Sequence, residues 1–321
     1  MAVLEAHHLA ENPSSFLALN EGNSYFTSAG RTGFIAYRAA GEYLVQFGGP
    51  FAPAETYPEL LRSFLDFAAE SGRKVVSVQL QRSDATVYAA HGFTVNQIGA
   101  SYAIELSRFS LQGTRFMQLR NKISRAIRAG LTIVEASADD WYAMMHRIDD
   151  EWLAAKGEHA RQLEFLVGQY GGPLQRHRRL FVGLIDSRPV GYISYSPVYG
   201  SRRGWMHDLS RRLPGDPPGV MEAINKAAID CFQAEGVAWL HFGFTPFTGL
   251  DGALEVSGYS PAFQQFMHLL WEYGEQVYPA RSQLAYKGKW GQTVVLPEYV
   301  AFHGPASVTA FAHVFRACNA F

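Results

Sequence analysis

Residues Gly204 to Gln233 read GWMHDLSRRLPGDPPGVMEAINKAAIDCFQ, and the fold turns on how this run is parsed. Its first residues form a strand, and a tight polar turn with Pro214, Pro217, Pro218 and Gly219 follows. Val220, Ile224, Ala227, Ala228, Cys231 and Phe232 then recur at helical spacing. A loop that opens directly onto a helix N-terminus can offer free backbone N–H groups to an anion. Asp208, Arg211 and Arg212 on either side of that junction make it the densest chemistry in the chain.

The neighbouring segments extend the pattern. Upstream, LFVGLID (Leu180 to Asp186) and VGYISYS (Val190 to Ser196) flank a Ser187-Arg188-Pro189 turn and read as a hairpin. Before them, Ser137 to Lys156 reads as a helix with Trp141, Met144, Met145, Ile148, Trp152 and Leu153 on one side. Downstream, VAWLHFGF (Val237 to Phe244) is a strand, Ser260 to Gly274 a helix, and RSQLAYKGKW (Arg281 to Trp290) leads into the final strand.

The first part of the chain repeats this order. After a helix over Ser14 to Glu21, GFIAYR and EYLVQF form a hairpin around Ala39-Ala40-Gly41. Thr56 and Glu59 make a Thr-x-x-Glu capping box at the head of a helix that ends near Gly72. KVVSVQL (strand), SDATVYAAHGF (short helix) and SYAIELS (strand) complete the set. Each half reads hairpin, long helix, strand, helix, strand, which predicts an α/β protein with mixed sheets flanked by helices.

With 321 residues, 48% of them apolar and 18% charged, the chain has room for two globular domains with a substantial core. A net charge of −1 excludes any global pull toward DNA, so a basic surface must be local. One such segment exists. Arg115 to Arg128, RFMQLRNKISRAIR, carries Arg115, Arg120, Lys122, Arg125 and Arg128 without one acid, and reads either as a solvated helix face or as an anion-binding one. Cys231 and Cys318 have no metal or redox spacing, and Cys231 on the apolar side of a helix is expected to be a buried thiol. No apolar run approaches about 18 residues and the N-terminus lacks the regions of a signal peptide, so a cytoplasmic protein without a transmembrane segment is expected.

The element order resembles the GCN5-related N-acetyltransferase fold, present twice. An N-terminal lobe would cover 1–112, a basic linker helix 113–130 and a C-terminal lobe 131–321. That resemblance implies a Gly-rich loop whose N–H groups hold the pyrophosphate of acetyl-CoA. The matching turn, Arg212 to Gly219, has Pro217 and Pro218 with no N–H to give and Asp216 to repel phosphate, and in the first half Pro50 and Pro53 interrupt GGPFAPAE. Neither copy is expected to hold CoA in the usual way.

Five runs carry a second resemblance: LRNKISRAIRAGL (Leu119 to Leu131), DEWLAAKG (Asp150 to Gly157), HDLSRR (His207 to Arg212), PPGVMEAI (Pro217 to Ile224) and FGFTPFTGL (Phe242 to Leu250). In this order, from about Ser24 to Ala301, they look like the C-terminal domain of bacterial phosphatidylglycerol lysyltransferases and alanyltransferases. The resemblance implies aminoacyl transfer with aminoacyl-tRNA as co-substrate and no metal or other cofactor. The acceptor would be phosphatidylglycerol, with peripheral membrane contact, or a small amine, hydroxylamine or hydroxyl. Two alternatives stand beside it: an acyl-CoA N-acyltransferase with an atypical phosphate loop, and a non-catalytic RNA- or lipid-binding module.

An aminoacyl ester is already activated, so the enzyme has to position an acceptor, help remove its proton and stabilise an oxyanion. Strand alternation puts Met206 and Asp208 on one face and His207 on the other. Asp208 is expected to hold the donor's α-ammonium or act as general base, against an ion pair with Arg211 or Arg212. Those two arginines suit phosphate, from the tRNA terminus or a lipid headgroup, against a plain surface charge pair for one of them. Glu151 is a second acid/base candidate, against a merely solvated cluster with Asp149 and Asp150. His207 and His241 read as core histidines. Arg120, Lys122, Arg125 and Arg128, with Lys287 and Lys289 near the C-terminal strand, are expected on tRNA backbone. Phe242, Tyr273 and Tyr278 are expected at the substrate, the tyrosines stacking on the terminal adenine or simply packing. The site should lie between the lobes or in the second.

Overall fold

The computed structural model describes residues 10–136, 138–157, 161–215 and 217–320; Ser137 at the expected helix start and Asp216 of the loop lie outside them. The first lobe runs β1 (Ser24–Phe26), β2 (Phe34–Ala40), β3 (Tyr43–Phe51), α1 (Tyr57–Glu70), β4 (Lys74–Leu80), α2 (Arg82–Ala90) and β5 (Phe93–Glu105). Helix α3 (Met117–Arg128) leads into the second lobe. This comprises β6 (Thr132–Ala136), α4 (Ala138–Ala154), β7 (Arg179–Ile185), β8 (Arg188–Val198), β9 (Gly204–Arg212), α5 (Val220–Ala234), β10 (Trp239–Pro246), α6 (Pro261–Tyr273), α7 (Ala280–Gly288) and β11 (Val294–His303). Helix α8 (Val308–Ala317) follows.

Each lobe contains the same unit, an antiparallel hairpin whose last strand is joined through a crossover helix to a parallel partner. In the first lobe β3 pairs with β4 across α1, and in the second β9 pairs with β10 across α5. The fold is thus two tandem lobes of the GCN5-related N-acetyltransferase type. Helix α5 forms because Val220, Ala223, Ile224, Ala228, Ile229 and Phe232 share one buried face. Burying each large apolar side chain of that set is worth roughly 1.5–3 kcal/mol as an upper figure.

The eleven strands of the described residues form one sheet, ordered β1-β2-β3-β4-β11-β5-β10-β9-β8-β7-β6. The lobes exchange their last strands: β11 lies between β4 and β5, antiparallel to both, while β5 pairs with β10 of the second lobe. Strand β5 is thus paired along both edges, and only its second and last residues are less than fully buried. Its buried polar residues Asn96, Gln97 and Ser101 are met by hydrogen bonds to Ser260, Gly249 and Glu298.

Several local expectations change. Thr56 does not close a capping box; its hydroxyl donates to the Thr32 and Pro53 carbonyls, and Glu59 pairs with Arg31 at 3.1 Å. The helix expected over Ser14 to Glu21 is a 3-10 turn, Ser15–Leu19. RSQLAYKGKW is largely α7. The Cys231 thiol is only half-buried, beside Glu135 and Glu235. Those three residues bring ligand atoms within 4.8 Å of one another, but Arg179 lies among them and bonds both carboxylates. Among the described residues no helix is long and apolar enough to cross a membrane.

Candidate active site

The two lobes present equivalent turns, and only the second is open. In the first, the Tyr57 hydroxyl donates to Asp84 at 2.6 Å, directly over the loop. A Cβ added to Gly49 would fall 2.0 Å from that hydroxyl and 2.6 Å from the carboxylate. In the second lobe a cleft of about 330 Å³ opens between the loop 217–219, the start of α5, Lys122 of α3, Ser210 and Arg212 of β9, and Gln283 and Tyr286 of α7. It lies where β9 and β10 part, since they pair only from Trp239 to His241.

Gly219 is required here. Its φ is +100°, and a Cβ would sit 2.1 Å from the Lys122 carbonyl oxygen, so loop and α3 touch backbone to backbone. Gly219→Ala is expected to cost about 1–3 kcal/mol in urea unfolding by forcing α3 away from α5. A loss below about half a kcal/mol would mean that this contact is not tight. No side chain caps α5, which leaves its first N–H groups facing the cleft.

Charge at the cleft is layered. Glu222, in the first turn of α5 and 7% exposed, accepts from Lys289 at 3.0 Å and lies 3.8 Å from Lys122. The Tyr286 hydroxyl is buried, and burial and then the Glu222 charge push its pKa well up, with Trp290 opposing. Its ring meets His207 edge-on at 5.8 Å. Burial and then the Lys287 charge push His207 down to about 3, so its imidazole is neutral at physiological pH. Deeper still, the Lys287 ammonium donates to the carbonyls of Gly243 and Phe244, at 2.8 and 3.0 Å, at the bulge of β10. Burial lowers Lys287 to about 7, with Glu298 opposing, and raises Glu298 to about 7, with Ser101 and Lys287 opposing. Ser101 donates to one Glu298 oxygen, and Gln81 also opposes the rise.

The expected group of Asp208, Arg211 and Arg212 is not assembled. A register shift opposite Ser194 and Tyr195 makes Asp208 a bulge residue, which breaks the alternation assumed for β9. Its carboxylate is wholly buried against Arg178 at 3.1 Å, with side-chain exposures of 2% and 0%. A Cβ on Gly168 would lie 2.4 Å from Asp208 Oδ1, so no ammonium fits there. Burial raises the Asp208 pKa and Arg178 opposes it. The ion pair set against a catalytic role is present, but with Arg178 in place of Arg211 or Arg212.

Arg211 and Arg212 leave the strand on opposite faces. Arg211 stacks over Trp152 at 4.0 Å and approaches Asp149 at 3.8 Å, on the α4 side. Arg212 alone reaches the cleft. Glu151 is exposed and paired along its own helix with Arg147 at 3.8 Å. Phe242 is core, stacked with Trp290. Tyr273 stands 77% exposed and Tyr278 is packed inward, its pKa raised to about 12 by burial; neither lines the cleft. His241 is a core residue, bonded to the Arg202 carbonyl at 2.9 Å.

The basic residues divide as well. Lys287 is interior and unavailable to RNA, and Lys289 is held by Glu222. Arg120 is tied to the Leu111 and Gly113 carbonyls. Arg125 and Arg128 are exposed and have no carboxylate partner among the described residues, and with Lys122 they run along α3 toward the cleft. Sequence reasoning missed Arg178, Glu222, Tyr286 and Glu298. Glu222 had a signal in its place in the first turn of an uncapped helix; the others lie on segments whose pairing the sequence does not reveal.

A model of the family described as "Phosphatidylglycerol lysyltransferase, C-terminal" matches residues 3–302. The chain is 26% identical over 239 residues to the phosphatidylglycerol lysyltransferase of Bacillus subtilis, covering 73% of this chain and 27% of that protein. It is 24% identical to the lysylphosphatidylglycerol biosynthesis bifunctional protein LysX of Rhodococcus opacus, covering 84% and 24%. The chain therefore spans about a quarter of the length of these relatives. The structure of L-PGS from Bacillus licheniformis superposes with a TM-score of 0.79 at 20% identity, over 98% of this chain and 94% of that one, which establishes the shared fold. With most of its length matched by the family model, the chain belongs to the family of phosphatidylglycerol lysyltransferase C-terminal domains.

Proposed function

We propose that this chain is the transfer unit of an aminoacyltransferase that takes its aminoacyl group from charged tRNA and passes it to the glycerol hydroxyl of phosphatidylglycerol. One observation carries this: an open cleft at the uncapped start of α5, walled by Lys122 and Arg212, continues the unpaired cations of α3 in a lobe whose phosphate loop is interrupted by prolines. Arg125, Arg128 and Lys122 would neutralise tRNA phosphates on the way to the cleft, and Arg212 with the α5 N–H groups would hold the terminal phosphate. The names of the relatives supply lysyl as the first group to try and phosphatidylglycerol as the first acceptor.

The experiment gives purified protein phosphatidylglycerol vesicles and each charged tRNA in turn. Label moving into lipid in an RNase-sensitive manner supports the proposal, and none moving from any charged tRNA refutes it. Micromolar binding of acetyl-CoA by calorimetry would instead favour an acyl-CoA transferase. Arg125→Gln with Arg128→Gln should weaken tRNA binding and lower the slope of log affinity against log salt by about two. An unchanged slope would remove α3 from the RNA path.

A further inference from the structure

The transfer leaves one group at the cleft without a task, the side-chain amide of Gln283. It lines the cleft from α7, stands exposed, and among the described residues bonds no other group; the hydrogen bond to the Pro279 carbonyl belongs to its backbone N–H. Gln283 and Tyr286 lie three residues apart and so share one face of α7. The Tyr286 hydroxyl is buried, so the exposed amide sits nearer the mouth. On the loop side the cleft is walled by the rings of Pro217 and Pro218 and by Met221, which gives it a flat apolar surface beside the uncapped start of α5.

The last nucleotide of a charged tRNA needs a seat for its phosphate, for its ribose and for its base. A base takes an apolar surface for its face and, for its edge, a partner that both donates and accepts. The charged groups of the cleft do not supply that edge. Lys122 and Arg212 can only donate, and Glu222 is already engaged by Lys122 and Lys289. Ser210 and Tyr286 bring one hydroxyl each, whereas Gln283 carries a donor and an acceptor side by side in one plane. Tyr273 and Tyr278, the rings expected at the terminal adenine, do not line the cleft, and the prolines that interrupt a CoA loop do.

We propose that Gln283 is a specificity-determining residue that reads the 3′-terminal adenine of the charged tRNA, a role that rests on the aminoacyl-transfer function above. The adenine N6–H donates to Gln283 Oε1 and Gln283 Nε2–H donates to adenine N7, the two-bond pairing open to a glutamine amide. The ring face lies on Pro217 and Pro218, while the phosphate of the same nucleotide meets Arg212 and the α5 N–H groups. Guanine breaks the pairing, because O6 and N7 both accept and leave Oε1 without a donor. A 7-deazaadenine breaks it at the other bond, having no N7.

The test measures binding, at one fixed salt concentration, of three uncharged forms of one tRNA that end in adenosine, guanosine or 7-deazaadenosine. Wild type should bind the adenosine end about tenfold tighter than the other two. Gln283→Ala, at an exposed helix position that alanine suits, should bind all three alike, at the wild-type affinity for the guanosine end. A wild type without preference, a variant that keeps the preference, or a variant that loses affinity equally for all three ends would overturn the proposal. The vesicle assay described above reports separately on the underlying function. Transfer by a wild type that shows no end preference removes the role of Gln283 and leaves the function standing, and an end preference without transfer from any charged tRNA removes the function and leaves Gln283 a reader of the RNA end alone.

Discussion

Asp208→Ala is expected to lower the unfolding free energy by about 3–5 kcal/mol, because it strands the Arg178 guanidinium in an interior where both partners are almost wholly hidden from water. Arg178 has little else to turn to. Among the described residues its one other polar contact is Asn20 Oδ1 at 3.4 Å, and its flat face lies over Phe16 at 4.9 Å. Removing both charges together, as in Asp208→Leu with Arg178→Met, should recover most of the loss, since the pair must first offset its own desolvation. Urea unfolding of the two single variants and the double variant checks this. A single-variant loss below about 1 kcal/mol would mean that water or another group compensates the charge. Activity lost in Asp208→Ala alone is therefore no evidence that Asp208 touches substrate.

The second large effect is on pH dependence. Glu298 ordinarily titrates at 4.5 and in the fold at about 7, so between these values the folded state keeps a proton that the unfolded chain has released. Stability from this group falls as pH rises through that window, by about 3 kcal/mol in all. Lys287 acts in the opposite sense: its pKa drops from 10.5 to about 7, the unfolded chain holds the extra proton, and stability rises from pH 7 upward. The contribution of these two groups is least near neutrality, while His207 and His241, lowered to about 3 and about 4, add stability as pH rises to 6.5. The groups facing this pair include Ser101, Gln81, the Gly243 and Phe244 carbonyls, the Tyr102 ring and His207, with the charge of Asp84 pushing Glu298 further up. Glu298→Gln should exceed wild type by about 3 kcal/mol at pH 8 and by nothing near pH 4.5. Equal unfolding curves at pH 8 would mean that Glu298 is not held protonated.

What the sequence made legible follows the range of the forces involved. Hairpin, crossover helix and parallel partner were readable twice because alternation and helical periodicity are local, as in Lys74–Leu80, where the expected strand and the observed one coincide. The exchange of β5 and β11 was not readable, because both are apolar strands that would fit several neighbours. Asp208 was misplaced for a smaller reason. One extra residue in β9 shifts the phase of every side chain beyond it, and no residue type in HDLSRR announces a bulge. Arg211 and Arg212, adjacent in sequence, were grouped as one phosphate clamp although neighbours on a strand must face opposite ways. The cleft was legible as a loop, from Pro217 to Gly219, but its wall from α7 was hidden because Tyr286 lies far downstream of that loop.

The exchanged strands also bear on how the protein is born. Ser77 of β4 pairs with Ala301 of β11, so the first lobe cannot finish its sheet until the residues through Ala301 have left the ribosome. Until then β4 and β5 each present a bare row of N–H and C=O groups, the kind of edge that recruits strands from other molecules. Contacts of such long sequence separation fold slowly, which prolongs the exposure. A truncation just before Val294 would leave both lobes open, not merely shorten the second.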